Sequence, residues 1–212
     1  MKDDFTRIAI ILDRSGSMES CKESTVAGFN EFIRTQKQLR GEATVKLVQF
    51  DDQYETVFDK RLEDCPELTQ QTFVPRGSTA LLDAQGRTIA ELGRELAALS
   101  EDERPSKVIV VTLTDGLENA SKQYNLHQIG ETIREQRDKY GWDFVFLGAN
   151  QDAVATAAAM SIPPASAMSY STSKAGIAAT MAAVSNYVGV SRAGRAAAFS
   201  AADRKAALEK DA

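Results

Sequence analysis

Hydrophobic positions along the chain form short runs of strand length that alternate with longer segments of helical period. β-branched and other apolar runs predict strands at 6–12, 43–50, 53–58, 107–113, 142–147 and 165–170. Apolar residues about 3.6 positions apart predict helices at 24–40, 80–99, 125–139, 152–160 and 175–187. The short turn Asp51-Asp52 indicates an antiparallel hairpin. The order β-α-β-β-α-β-α-β-α-β-α predicts an α/β fold: a doubly wound, mostly parallel open sheet with one antiparallel edge strand and helices on both faces.

The composition changes near Ser191, because alanine and arginine dominate from there onward. Ser200 followed by Asp203 is typical of a capping box, which predicts a helix from about 201 to 210. We therefore expect one domain over residues 1–190 and an Ala/Arg-rich helical tail over 191–212. A narrow apolar stripe in this tail consists of Phe199, Ala202 and Ala206. It could pack on the domain, on a partner or on another copy, so self-association through the tail is one expectation.

Charge and hydropathy exclude several classes of protein. The 212 residues carry 30 acidic and 25 basic side chains, a net charge of -5, with no long basic run that could follow a phosphate backbone. Nucleic acid is therefore not an expected ligand. No apolar stretch approaches the roughly 18 residues of a membrane span, and Met1-Lys2-Asp3-Asp4 lacks the layout of a signal peptide. We expect a cytoplasmic protein whose two cysteines are inert thiols.

Oxygen-bearing side chains gather at three predicted loops. In open sheets of this kind, ligands bind beyond the carboxyl ends of the strands. Asp13, Ser15 and Ser17 follow the first strand, Thr79 precedes a helix, and Asp115 follows the strand at 107–113. None of these donors is a thiolate or an imidazole, so the set favours Mg²⁺ or Mn²⁺ over zinc or copper.

The pattern Asp13-x-Ser15-x-Ser17, with Thr79 in Gly-Ser-Thr-Ala and Asp115 in Thr-Asp-Gly, resembles the metal-ion-dependent adhesion site of von Willebrand factor A domains. The resemblance covers about residues 5–190 and looks most like stand-alone bacterial or phage members. It implies a Rossmann-like fold in which the three hydroxyls contact the metal directly and the two aspartates often act through water. One coordination position is then left for an Asp or Glu of a protein partner.

Charge counting favours the same mechanism, because a divalent ion held directly by neutral hydroxyls remains electrophilic. A partner carboxylate should also be attracted by the N-terminus of the helix that begins near Ala80, by roughly 0.3–1 kcal/mol. The sequence therefore predicts a metal-dependent protein-binding module. The alternative is a scaffold domain that the metal merely stabilises, and the sequence does not decide between the two.

An enzyme is the less favoured class. An aspartate-nucleophile phosphatase needs a second carboxylate two residues after the first, where this chain has Ser15. A serine hydrolase needs a nucleophile elbow and a nearby histidine, whereas no GxSxG is present and the only histidine, His127, lies at a predicted helix start. We therefore expect no catalysis, with a metal-dependent hydrolase as the remaining alternative.

Three residues next to the predicted ligands have two possible roles each. Arg14 could steer acidic partners or be an ordinary solvated charge. Glu118 and Asn119 could support the metal from outside its ligands or simply shape the turn into the next helix.

Overall fold

The computed structural model describes residues 1–211 and contains a six-stranded sheet. Its strands are β1 (Lys2–Asp13), β2 (Glu42–Phe50), β3 (Tyr54–Arg61), β4 (Pro105–Thr114), β5 (Asp143–Ala149) and β6 (Ala167–Tyr170). They are ordered β3-β2-β1-β4-β5-β6, with β3 antiparallel to β2 and the other neighbours parallel. The predicted fold class, including its antiparallel edge strand, is confirmed.

Helices cover both faces of this sheet. They are α1 (Lys22–Lys37), α2 (Leu81–Ala97), α3 (Leu126–Tyr140), α4 (Ala153–Ala159), α5 (Lys174–Arg192) and α6 (Ala201–Ala207). Alternate residues of β1 point to opposite faces. Ile8, Ile10 and Leu12 pack with α1 and α5, whereas Ala9 and Ile11 pack with α2, α3 and α4. Two apolar layers therefore hold the sheet between them.

The helix caps that the sequence predicts are present. Asn125 accepts a hydrogen bond from the Gln128 backbone while the Gln128 side chain accepts from the Asn125 backbone, which forms the capping box of α3. The Asp152 side chain caps α4 by accepting hydrogen bonds from the Val154 and Ala155 backbone N–H groups. His127 lies on α3 with a side chain that is 79% exposed and 3.4 Å from Glu131.

The C-terminal segment packs on the domain. Helix α5 continues through Ser191 to Arg192, so the boundary expected after residue 190 falls inside a helix. Helix α6 begins at Ala201 behind the predicted Ser200 and Asp203 capping box, but it ends at Ala207. The apolar stripe predicted from Phe199, Ala202 and Ala206 also differs from the buried residues of this segment. Phe199 and Ala207 are buried, whereas Ala202 is exposed.

Two further sequence expectations concern membranes and thiols. Among residues 1–211, no helix combines the length and apolarity that crossing a bilayer requires. Cys21 and Cys65 are buried free thiols, and burial raises the pKa of each to about 11.

Candidate metal centre

The predicted ligand loops meet at the carboxyl edge of the sheet, where the strand order reverses between β1 and β4. Leu12 pairs with Leu113, so these two adjacent parallel strands end at the same level. The long segment before α2 reaches the same place, since the Gly16 N–H donates to the Gly77 carbonyl at 3.2 Å. Three loops that are distant in sequence therefore share one edge.

Asp13 is the last residue of β1 and forms the buried base of the site. Its side chain is fully buried, and its two oxygens accept hydrogen bonds from the Ser15 N–H at 2.6 Å and from the Thr114 hydroxyl. The first bond folds the Asp13–Ser15 turn back on itself, and the second ties β1 to β4. Asp13 is thus oriented by two donors that are not among the predicted side-chain ligands.

The hydroxyls of the first loop point towards Asp115. The Ser15 and Ser17 Oγ atoms lie 3.2 Å apart, and Ser17 Oγ donates to Asp115 Oδ1 at 2.5 Å. Ser17 is exposed, whereas Ser15 and Asp115 are buried. These three side chains form one connected group of oxygen atoms.

Thr79 joins the group across Gly116. A Cβ atom added to Gly116 would lie 2.7 Å from Thr79 Oγ1 and 3.5 Å from Ser15 Oγ, so both hydroxyls face the backbone of this glycine. Any side chain at position 116 would therefore fill the space beside both hydroxyls. The structure brings together all five residues that the sequence selects, Asp13, Ser15, Ser17, Thr79 and Asp115.

The donor set fits a hard divalent cation. It supplies two carboxylates and three hydroxyls, all oxygen atoms, which suits magnesium or manganese chemistry. Within the described part of the chain, no cluster of three or more His, Cys, Asp or Glu side chains could hold a metal. A cation site at this edge consequently depends on the hydroxyls as well as on the two aspartates.

Sequence reasoning missed the residue that organises the back of the site, Asp51. This fully buried carboxylate pairs with Arg14 at 3.2 Å and with Arg76 at 2.8 Å, and its backbone carbonyl accepts from the Ala80 N–H. Arg14 is itself buried and also pairs with Glu55. Neither expected role of Arg14 fits these contacts, because its buried guanidinium is paired with Asp51 after β2 and with Glu55 of β3.

Of the two roles considered for Asn119 and Glu118, Asn119 supports a predicted ligand and Glu118 shapes the turn and the start of α2. The Asn119 side-chain oxygen accepts from the Thr79 N–H at 2.9 Å, so it positions a predicted ligand from outside the ligand set. Glu118 accepts from the Leu82 N–H at the start of α2 and from the backbone of its own turn.

The expected attraction of a partner carboxylate by α2 needs correction. The backbone N–H groups of Thr79, Ala80, Leu82 and Asp83 are hydrogen-bonded to Asn119, Asp51, Glu118 and Ser121 respectively. Most N–H groups at the start of this helix, although not that of Leu81, therefore have partners within the protein. Because the Glu118 carboxylate already lies beside them, the attraction of a further anion is weakened.

The loop after β5 supplies two more contacts that the sequence did not indicate. Asn150, with a φ of 56°, donates to the Asp115 carbonyl at 3.3 Å, and Gln151 donates to the Gly116 carbonyl at 3.0 Å. Both side chains fix the backbone of the Asp115 loop. The only signal in the sequence was the asparagine itself, since asparagine tolerates this left-handed conformation better than most residues do.

Burial changes the acid–base behaviour of the two aspartates. It raises the pKa of Asp13 to about 6, although the bonds from Thr114 and Ser15 oppose the shift. Burial also raises the pKa of Asp115, against the effect of the Ser17 hydroxyl. In the metal-free protein, the folded state thus holds protons more tightly than the unfolded state does, and the stability contributed by Asp13 is lost as the pH rises from about 4 to 6.

A divalent cation must compete with these protons. We expect Mg²⁺ affinity to be nearly constant above pH 7 and to fall by up to about tenfold per pH unit below pH 6. Calorimetry at pH 6 in two buffers of different ionisation enthalpy should show proton release on binding. An affinity that is equal at pH 5 and pH 7.5, with no proton release, would contradict the involvement of these carboxylates.

Comparison with known proteins rests on solved structures, because no protein-family model and no curated protein sequence matches the chain. The pilus adhesin SpaC from Lactobacillus rhamnosus GG is 14% identical, with a TM-score of 0.67 over 90% of this chain and 31% of the adhesin. A von Willebrand factor type A protein from Catenulispora acidiphila is 13% identical, with a TM-score of 0.57 over 88% of this chain and 42% of its own.

A third similar structure is described by its metal. Proximal thread matrix protein 1 from the mussel byssus, with a zinc-occupied metal-ion-dependent adhesion site, is 16% identical. Its TM-score is 0.59 over 89% of this chain and 47% of the matrix protein. The present chain spans less than half the length of each of the three. The chain has the fold of a von Willebrand factor A domain.

Proposed function

We propose that this chain is a divalent-metal-dependent protein-binding module, in which the metal captures an acidic side chain of a partner. The observation that carries the proposal is the convergence of two carboxylates and three hydroxyls at the carboxyl edge of the sheet. Ser15, Ser17 and Thr79 would contact the cation directly. Asp13 and Asp115 would balance its charge, and the cation would supply an electrophilic position for the partner's carboxylate.

Magnesium or manganese is the cation that we propose. The reason is the absence of soft ligands among the five donors, which removes the usual preference for zinc. The mussel protein described with a zinc-occupied site shows that this fold can take other divalent ions. Zinc therefore belongs in any titration beside Mg²⁺ and Mn²⁺.

The exposure of the site favours a binding module over a domain that the metal only stabilises. Four of the five donors are buried, but the fifth, Ser17, is exposed, and so are residues next to the group: Gly16, Gly77, Ser78, Leu117 and Asn150. A partner side chain can therefore approach the cation from the Ser17 side. Leu117 is 63% exposed beside Gly116 and offers an apolar contact next to that approach.

A hydrolytic role gains no support from the arrangement. Position 15 carries a hydroxyl where a phosphatase of this type needs a general acid, and His127 lies on the exposed surface of α3. We therefore propose a non-catalytic module.

The proposal predicts that a carboxylate reaches the bound metal. With Mn²⁺ bound, the protein should enhance the proton relaxation of N-acetyl-aspartate amide several-fold more than that of N-acetyl-asparagine amide, measured by nuclear magnetic resonance. Thr79→Ala, which removes a donor, should abolish the difference. Equal enhancement of the two probes, despite metal binding shown by calorimetry, would instead support the scaffold role.

A further inference from the structure

Tyr170 carries a buried hydroxyl that no other described group satisfies. It is the last residue of β6, and its side chain is 3% exposed. Three buried side-chain polar atoms lack a hydrogen-bond partner within residues 1–211: Gln49 Oε1, Gln85 Oε1 and the Tyr170 hydroxyl. The two glutamines still donate through their amide nitrogens, to the Thr72 carbonyl and the Thr112 hydroxyl. Tyr170 alone of the three leaves its only polar atom unpaired, which is costly in a buried position.

The strand register brings Tyr170 to the metal edge. It pairs with Ala149, while the preceding Gly148 pairs with Thr114 at the end of β4. Its side chain packs in the same apolar layer as Met18 and Cys21, which belong to the turn that follows Ser17. Burial raises the pKa of Tyr170 well above its usual value, and the nearby Cys21, Asp115 and Asp13 raise it further. The register thus places Tyr170 level with the residue that follows Thr114, which is Asp115, with one strand between them.

The two aspartates differ in the support that they receive. Asp13 accepts from Ser15 N–H and from Thr114, and neither of these donors is a predicted ligand atom. The side chain of Asp115 accepts from the Ser17 hydroxyl, which is itself a predicted ligand. Carboxylates that hold or balance a metal are usually oriented by donors outside the ligand set. Apart from its own backbone N–H, the Asp115 side chain has among the described residues no donor outside the ligand set that corresponds to Thr114 at Asp13.

We infer that Tyr170 is a positioning residue of the metal centre, whose hydroxyl donates a hydrogen bond towards Asp115, directly or through one water molecule, when a divalent cation is bound. This inference rests on the proposed metal binding. Cation binding engages the Ser17 oxygen, and the Tyr170 hydroxyl then supplies Asp115 with a donor that does not depend on a ligand.

Tyr170→Phe tests the inference, because it removes the hydroxyl and little else. In the metal-free protein the melting temperature should be unchanged or higher, since an unpaired buried hydroxyl is lost. Mg²⁺ affinity, measured by calorimetry, should fall by about tenfold. The electron paramagnetic resonance spectrum of bound Mn²⁺ should also change, because Asp115 is less firmly oriented.

Tyr187→Phe is the matched control. Tyr187 is as little exposed as Tyr170, but its hydroxyl is paired with Ser166 at 2.7 Å and Asp143 at 2.9 Å, at the opposite end of β5. This variant should melt at a lower temperature and keep the wild-type Mg²⁺ affinity and Mn²⁺ spectrum. Unchanged Mg²⁺ affinity and an unchanged Mn²⁺ spectrum in Tyr170→Phe would overturn the inference. A wild-type protein that binds neither cation would instead overturn the proposed function.

Discussion

Asp115→Ala is expected to remove the stabilisation of the protein by magnesium. A cation that binds only the folded state stabilises it by about 2.7 kcal/mol at a concentration of 100 times its dissociation constant. For a domain of this size, that corresponds to a rise in melting temperature of about 5–10 °C. Because Asp115 is one of only two carboxylates at the site, its loss removes half of the balancing negative charge. Thermal melts of the variant recorded with Mg²⁺ and with a chelator should therefore give the same melting temperature.

Two controls make this test specific: the stability of Asp115→Ala in chelator, and the magnesium response of a variant with the same change in charge. Asp115 is buried and its pKa is raised by burial, so its replacement should not lower the melting temperature measured in chelator. Asp138→Ala, at an exposed position of α3, makes the same change in net charge and should keep the full response to magnesium. An equal magnesium response in Asp115→Ala would contradict the site.

Deletion of residues 191–212 is expected to destabilise the domain by more than 3 kcal/mol. Phe199 packs on Tyr187 with ring centroids 5.0 Å apart, and truncating a buried phenylalanine costs about 3–5 kcal/mol by itself. The segment also pairs with the backbone of the domain, since Ser171 N–H donates to the Ala207 carbonyl and Asp211 accepts from the first residues of α5. Chemical denaturation of the truncated protein should show a midpoint at a lower denaturant concentration, or no folded baseline.

Point variants separate packing from the mere length of the chain. Phe199→Ala should reproduce most of the loss, whereas Lys205→Ala, at an exposed position of α6, should change the unfolding free energy by less than about 0.5 kcal/mol. If the truncated protein has an unchanged denaturation midpoint, residues 191–212 form a separable tail, as the composition of the sequence suggests.

The three loops of the candidate site were predictable from the sequence because their chemistry is local. Asp13, Ser15 and Ser17 follow a clear apolar strand, and Asp115 follows another, so strand recognition alone places them at one edge. The pairing of β2 with β3 was predictable for the same reason, since the turn that joins them is short.

The supporting residues were not predictable, because their roles arise only from tertiary contacts. The sequence assigns Asp51 only to the short turn Asp51-Asp52, whereas in the structure its carboxylate is buried and pairs with Arg14 and Arg76. The packing of residues 191–212 on the domain was not predicted for a related reason. Its side chains are mostly small, and it is held by backbone carbonyls, such as those of Ala167 and Pro164 that accept from Arg204. Such contacts leave no periodic pattern in a sequence.

The wide sequence separation of the site residues has a kinetic consequence. Ser17 and Asp115 stand 98 residues apart, and they meet only once β1 has paired with β4. Because loop closure between such distant segments is entropically costly, we expect their contacts to form late in folding. A cation bound there stabilises interactions that are absent from the transition state, so it slows unfolding without accelerating folding. If the proposed magnesium site is occupied, we therefore expect a longer lifetime of the folded domain and an unchanged folding rate.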